Sequence, residues 1–196
     1  MRTQGCFIVV LLLVSLLTGC FSNLWTGAVL IYDRHNVYKK VNDYQLAANA
    51  QQKLYQDKVF KQEGCAIDLA VFNGDILLAG HVSTSVLRET AVARVLSLSG
   101  YRRVFNQIEV GKKSANTLQD SWITTKIRSR IFADATIDPG SFKIVTSDRI
   151  VYLMGDVKPD QAARVIDIAR NVSGVIRVVK LLKYYHLSEQ AALNQG

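Results

Sequence analysis

Apolar residues recur along this chain in two rhythms, and each rhythm appears twice. Leu46, Ala50 and Leu54 fall at i, i+4 and i+8, the spacing that gathers side chains on one face of an α-helix. The same spacing returns at Ile123, Ile127 and Ile131, with Asp43 matched by Asp120 ahead of it. Each helical stretch gives way to alternating segments. Residues 65–72 and 76–82 alternate around Asn73-Gly74, a two-residue turn whose positive φ angles suit those residue types. In the second copy residues 142–145 and 150–157 alternate around Ser147-Asp148.

A second helix follows each hairpin. Ser83 or Thr84 is placed to cap the first, and Pro159 sits near the opening turn of the other. Ala91, Val92, Val95 and Leu98 correspond to Val165, Ile166, Ala169 and Val172, one apolar stripe written twice. Gly100 and Gly174 are expected to end these helices at the left-handed C′ position. A third strand, residues 103–110 and 175–184, closes each copy.

The order is therefore αββαβ in two tandem units of about 70 residues, an internal repeat that fixes domain number better than length does. The expected class is α+β, with two helices packed on a three-stranded mixed sheet in each unit. One such unit buries little core by itself, so the two are expected to pack side by side as a fixed pair.

The N-terminus follows different rules. Arg2 precedes an apolar run from Phe7 to Leu17, shorter than the roughly 20 residues that span a bilayer, and this reads as a signal peptide over residues 1–19. Leu17-Thr18-Gly19-Cys20 closes it and resembles the lipobox of bacterial lipoproteins, a resemblance that implies acylation of Cys20. The remaining boundaries are a lipidated tether over 20–40, domain one over 41–110, a linker over 111–116, domain two over 117–184 and a flexible tail over 185–196. Cys6 departs with the signal peptide and Cys65 lacks a partner, so no disulfide is expected and Cys65 reads as a small buried hydrophobe.

Charge separates the two copies. The chain carries a net +8, but residues 41–110 hold seven basic and seven acidic side chains while residues 117–185 hold eleven and seven. Where the first helix of the first copy has Gln45, Asn49 and Lys53, the second has Trp122, Lys126 and Arg130, a stripe about 100° from the isoleucine face. Arg128 adds a cation elsewhere on the same helix. Indole with cations at this spacing suits a membrane interface; the plainer alternative is that Trp122 plugs the contact between the domains. A basic chain often meets nucleic acid, but export separates this one from the genome.

The lipobox, Tyr32-Asp33-Arg34, the segment Val104-Phe105-Asn106-Gln107-Ile108, the segment Ser121-Trp122-Ile123-Thr124-Thr125-Lys126, and Val151-Tyr152-Leu153-Met154-Gly155 together resemble the dual BON-domain lipoproteins of the outer membrane. The resemblance covers residues 41–184. It implies a lipid-anchored protein facing the periplasm, and Phe21 after the cysteine favours outer-membrane sorting. It also implies envelope-stress and division-site roles, and binding of anionic phospholipid through the first helix of the second domain. Trp122, Ile123, Lys126, Arg128 and Arg130 are the candidate lipid contacts.

Catalysis finds no support, because His35, His81 and His186 lie far apart outside any motif, and no metal-ligand spacing appears. No cofactor is expected beyond the acyl and diacylglycerol groups on Cys20, and no small-molecule substrate. The competing partner is an envelope protein, with the paired domains serving as a scaffold for an envelope assembly or cell-wall division factor.

Overall fold

The computed structural model describes residues 34–56, 58–111 and 115–185, with side chains from residue 39 onward. Signal peptide, Cys20, most of the tether, the centre of the linker and the tail after Tyr185 lie outside the described residues. The chain divides at Tyr38 into two units, and both repeats belong to the second.

The elements run α1 (Arg34–Leu54), β1 (Ala66–Phe72), β2 (Asp75–Val82), α2 (Ser85–Leu96) and β3 (Arg103–Val110), then α3 (Thr117–Ala133), β4 (Phe142–Ser147), β5 (Ile150–Val157), α4 (Pro159–Arg170) and β6 (Arg177–Tyr184). A 3-10 turn, Pro139–Ser141, leads into β4. Helix α1 begins within the stretch expected to be tether, so residues 34–40 are helical.

Each sheet places its second strand in the centre, antiparallel to the first and parallel to the third. The parallel pair needs a crossover, which α2 and α4 supply. Leu46 and Leu54 join Ile76, Leu78, Val82, Ala91 and Val95 in one core; Ile123, Ile127, Ile131, Val151, Leu153, Val157 and Val165 form the matching core of the second domain. The sequence periodicity therefore marks the helix-facing layers correctly in both copies.

The sheets pack on each other through their other faces. Ala70, Leu77 and Ala79 meet Ile150, Tyr152, Met154 and Leu181 in a third apolar cluster between the domains. The contact is face to face between sheets, where side-by-side packing was expected. Central strands buried on both faces need continuous apolar runs, and Ile76-Leu77-Leu78-Ala79 and Val151-Tyr152-Leu153-Met154 are such runs.

Polar pairs at equivalent positions bracket this interface. The His81 ring, 1% exposed, lies with Nδ1 2.8 Å from Asp148 Oδ2, while Asn73 Nδ2 donates to Asp156 Oδ2 at 3.1 Å. Asn73 opens the first hairpin turn as Asp148 opens the second; His81 follows the strand glycine as Asp156 follows its counterpart. The two contacts are thus one contact repeated about a pseudo-twofold axis. Arg177 to Glu109 at 2.6 Å and Arg102 to Asp156 at 3.2 Å add ion pairs at the rim.

Three local expectations shift. The second hairpin turn is Asp148-Arg149, both at positive φ, and Ser147 is the last residue of β4, paired with Ile150. Gly100 and Gly174 have positive φ but lie three residues beyond the caps Ser97 and Asn171, so they shape the entry to the third strand instead of closing the helix. The third strand of the second domain starts at Arg177, two residues later than its alternation suggests. Thr84 is the cap of α2, accepting from Leu87 N–H at 3.3 Å.

Candidate membrane-docking helix

Helix α3 is anchored at both ends and along one side. Asn116 Oδ1 accepts the N–H of Gln119 at 3.1 Å, which satisfies one of the free donors of the first turn. Asp120 accepts the backbone N–H groups of Asp148 and Arg149 at 2.9 and 2.8 Å, tying the helix to the hairpin turn. Ile123, Ile127 and Ile131 then fill the core, and these contacts fix the rotation of the helix about its axis.

That rotation decides which side chains reach solvent. Positions about 180° from the isoleucine line are Leu118, Trp122, Thr125, Ser129 and Phe132, at 100° per residue. Leu118 is 85% exposed, Trp122 48% and Phe132 74%. The Thr125 hydroxyl donates to Ser121 O at 2.8 Å within its own helix, so the outer face spends little polarity on solvent. Three large apolar side chains exposed on a single 17-residue helix are unusual for a surface that meets only water.

Cations flank this face. Lys126 Nζ lies 5.5 Å from the centroid of the Trp122 ring, a cation–π distance. Arg130 Nη1 donates to Asn171 O at 3.2 Å and stays exposed. Arg128 leaves on the opposite flank, where Nη2 donates to Ile144 O at 3.3 Å. The structure thus gathers Trp122, Lys126 and Arg130 on one side, and sets Arg128 apart from them.

Ile123 requires a correction. It is fully buried in the core, and a side chain facing the sheet cannot also face a bilayer. Leu118 and Phe132 are the large apolar side chains of α3 exposed along with Trp122. Their signal was present in the sequence, since apolar residues four before and ten after Trp122 share its face, but the regular i, i+4, i+8 isoleucines are the stronger apolar pattern on the same helix. Trp122 does not plug the domain contact, which is made by the sheets.

The equivalent surface of α1 differs. Gln45, Asn49 and Lys53 are exposed there, and the exposed large apolar side chains are Val41 and Tyr44, with no indole and no counterpart of the exposed Phe132. Tyr55, which stands where the second copy has Phe132, turns back and donates its hydroxyl to Ile67 O at 2.7 Å. Among the described residues no group of His, Cys, Asp and Glu is placed to hold a metal, and no helix is long and apolar enough to cross a membrane. Cys65 is half-buried against the first core with Sγ 4.0 Å from Ser83 Oγ.

Two αββαβ modules of this topology define the class: the chain belongs to the BON-domain family, whose model matches residues 42–112 and 119–184. Outer membrane lipoprotein DolP of Haemophilus influenzae is 30% identical over 174 residues, covering 86% of this chain and 90% of that one. The 21 kDa hemolysin of Actinobacillus pleuropneumoniae is 31% identical over 154 residues, 78% of this chain and 79% of the relative. Similarity to an outer-membrane lipoprotein across most of both chains supports the same class and location for this protein.

Proposed function

We propose that this protein is held at the outer membrane through acylated Cys20, faces the periplasm, and lays the outer face of α3 on anionic phospholipid, thereby supporting envelope integrity. The observation that carries the reading is the exposed trio Leu118, Trp122 and Phe132, opposite the buried isoleucines, beside Lys126 and Arg130. An indole settles at headgroup depth, and leucine and phenylalanine beside it reach the acyl boundary.

The magnitudes suit a second contact better than a sole anchor. Each cation near an anionic surface contributes on the order of 1 kcal/mol, and burying an exposed apolar side chain about 1.5–3 kcal/mol. Ordering and orienting the protein offset part of this sum. With the acyl chains already in the bilayer, modest affinity suffices because the tether raises the effective concentration of the helix.

Vesicle flotation of the unacylated full chain tests the reading. Binding should rise with the anionic lipid fraction, fall with salt but not vanish, and drop at least fivefold in Trp122→Ala and in Phe132→Ser. Unchanged binding in both variants would remove α3 as the contact.

A further inference from the structure

A second feature of the paired domains lies outside the lipid-facing surface. A groove of about 580 Å³ runs between them, walled by β1 and Tyr55 on one side and by β4 with the inner flank of α3 on the other. Both β1 and β4 are outer strands of their sheets, so each presents a main-chain edge to this groove.

The direction of that edge can be read from two side chains. Tyr55 Oη donates to Ile67 O, and Arg128 Nη2 to Ile144 O, so these carbonyls point away from the partner strands. In an antiparallel ladder every second residue points its N–H and C=O the same way. Leu69 and Thr146 therefore offer free donors and acceptors to the groove, and no described residue bonds to their main chain. The side chain of Thr146 is occupied by Thr124 Oγ1 at 2.8 Å.

Charge is distributed along the groove with opposite signs at its ends. Asp120, Asp148 and Asp68 line the groove at the end marked by Ser147. Arg128 and Lys143 lie toward the other end, and neither makes an ion pair among the described residues. Asp120 and Arg128 are two helical turns apart, about 12 Å. A strand rising about 3.3 Å per residue covers that distance in four residues. Even spacing sends side chains at i and i+4 to the same face.

The geometry points to an extended polypeptide as the occupant of this groove. It adds as an antiparallel strand to the edge of β4 through Ile144 and Thr146, with a basic side chain at the acidic end and an acidic side chain four residues later, beside Arg128 and Lys143. Strand addition takes affinity from main-chain hydrogen bonds and selectivity from the flanking side chains. A bilayer cannot supply an edge of N–H and C=O groups, so this partner is protein, and the site is independent of the outer face of α3.

The test uses the 15N-labelled full chain and two capped peptides, Lys-Val-Thr-Val-Glu and Lys-Val-Pro-Val-Glu. The first should shift the amide resonances of Ile144 and Thr146 along a saturable curve, and Lys143→Glu should weaken it at least threefold. The proline peptide keeps both charges but cannot pair with the edge, and should give no saturable shift. Three results would overturn the assignment: no saturable shift with the first peptide, equal shifts with both, or shifts confined to Leu118, Trp122 and Phe132. Arg128→Ala, which removes the other cation beside the peptide's glutamate, serves as a second variant and should weaken the first peptide at least threefold while leaving its curve saturable; undiminished binding in both cation variants would also overturn the assignment.

Discussion

Asp43 and Asp120 hold the same place in the two domains, each on the first helix and each clamping the hairpin of its own sheet. Asp43 accepts the N–H groups of Asn73 and Gly74 at 2.7 and 2.8 Å, as Asp120 accepts those of Asp148 and Arg149. A turn with positive φ at both central residues points two adjacent N–H groups outward, and one carboxylate can take both. The clamp sets the height of α3 against β4, and so the rotation that exposes Trp122.

Removing the clamp should therefore cost stability in either domain. Asp43→Ala and Asp120→Ala should each lower it by about 1.5–3 kcal/mol, the range for hydrogen bonds to a charged group. Urea unfolding followed by circular dichroism measures this. Asp120→Ala should also weaken vesicle binding, whereas Asp43→Ala, in the domain without the tryptophan, should not.

Steric room separates glycines that share a positive φ. A Cβ on Gly80 (φ +106) would stand 2.1 Å from Ala66 O in the facing strand, while one on Gly100 (φ +83) meets nothing within 4 Å. Gly80→Ala should then cost several kcal/mol, backbone strain of about 1–3 kcal/mol plus a clash that only strand separation relieves. Gly100→Ala should cost the strain alone. Thermal unfolding of the two variants should differ accordingly.

Two carboxylates give opposite pH signatures. Burial alone would raise the Asp75 carboxyl, but hydrogen bonds from Arg102 and Arg103, at 2.5 to 3.1 Å, and their charges outweigh it and hold the group below the usual carboxylate range. A lowered folded pKa means that the stabilisation is complete above the unfolded value, about 3.9, and is lost as pH falls through the folded value. Asp75→Asn should destabilise at pH 7, by about 1–3 kcal/mol, and flatten the acid limb of the stability curve.

Asp68 runs the other way. Desolvation in the groove, aided by the charges of Asp120 and Asp148, pushes its pKa up against the opposing effects of Ser147 and His81. Folding then binds a proton, so stability declines as pH rises from the unfolded value through the raised folded one. Asp68→Asn should stabilise at pH 7 and leave stability at pH 3 unchanged, read from urea midpoints at the two pH values.

Much of this architecture was legible because each copy repeats the same periodicities. Leu46, Ala50 and Leu54, and their isoleucine counterparts, identify the helix faces; Asn73-Gly74 identifies the first turn; Thr84 and Pro159 mark helix starts. The second turn was harder to place because Asp148 and Arg149 adopt positive φ without a glycine, at a cost that the Asp120 clamp offsets. Sheet-on-sheet packing depends on residues far apart in sequence, and only the unbroken apolar runs of β2 and β5 hinted at it. On the candidate helix, the exposure of Trp122, Lys126 and Arg130 was legible from their spacing, whereas Ile123 belongs to the core and Leu118 and Phe132 to the surface.

The depth of the Trp122 indole in a bilayer is the most direct measure of the central claim. Trp25 is the other tryptophan, so Trp25→Phe leaves a single reporter. Anionic vesicles with acyl chains brominated near the glycerol should quench Trp122 fluorescence at least twofold. An indole placed on the other domain by Gln45→Trp, in a chain also carrying Trp25→Phe and Trp122→Phe, should stay bright with the vesicles bound. An unquenched Trp122 on vesicle-bound protein, or equal quenching at both positions, would contradict docking through α3.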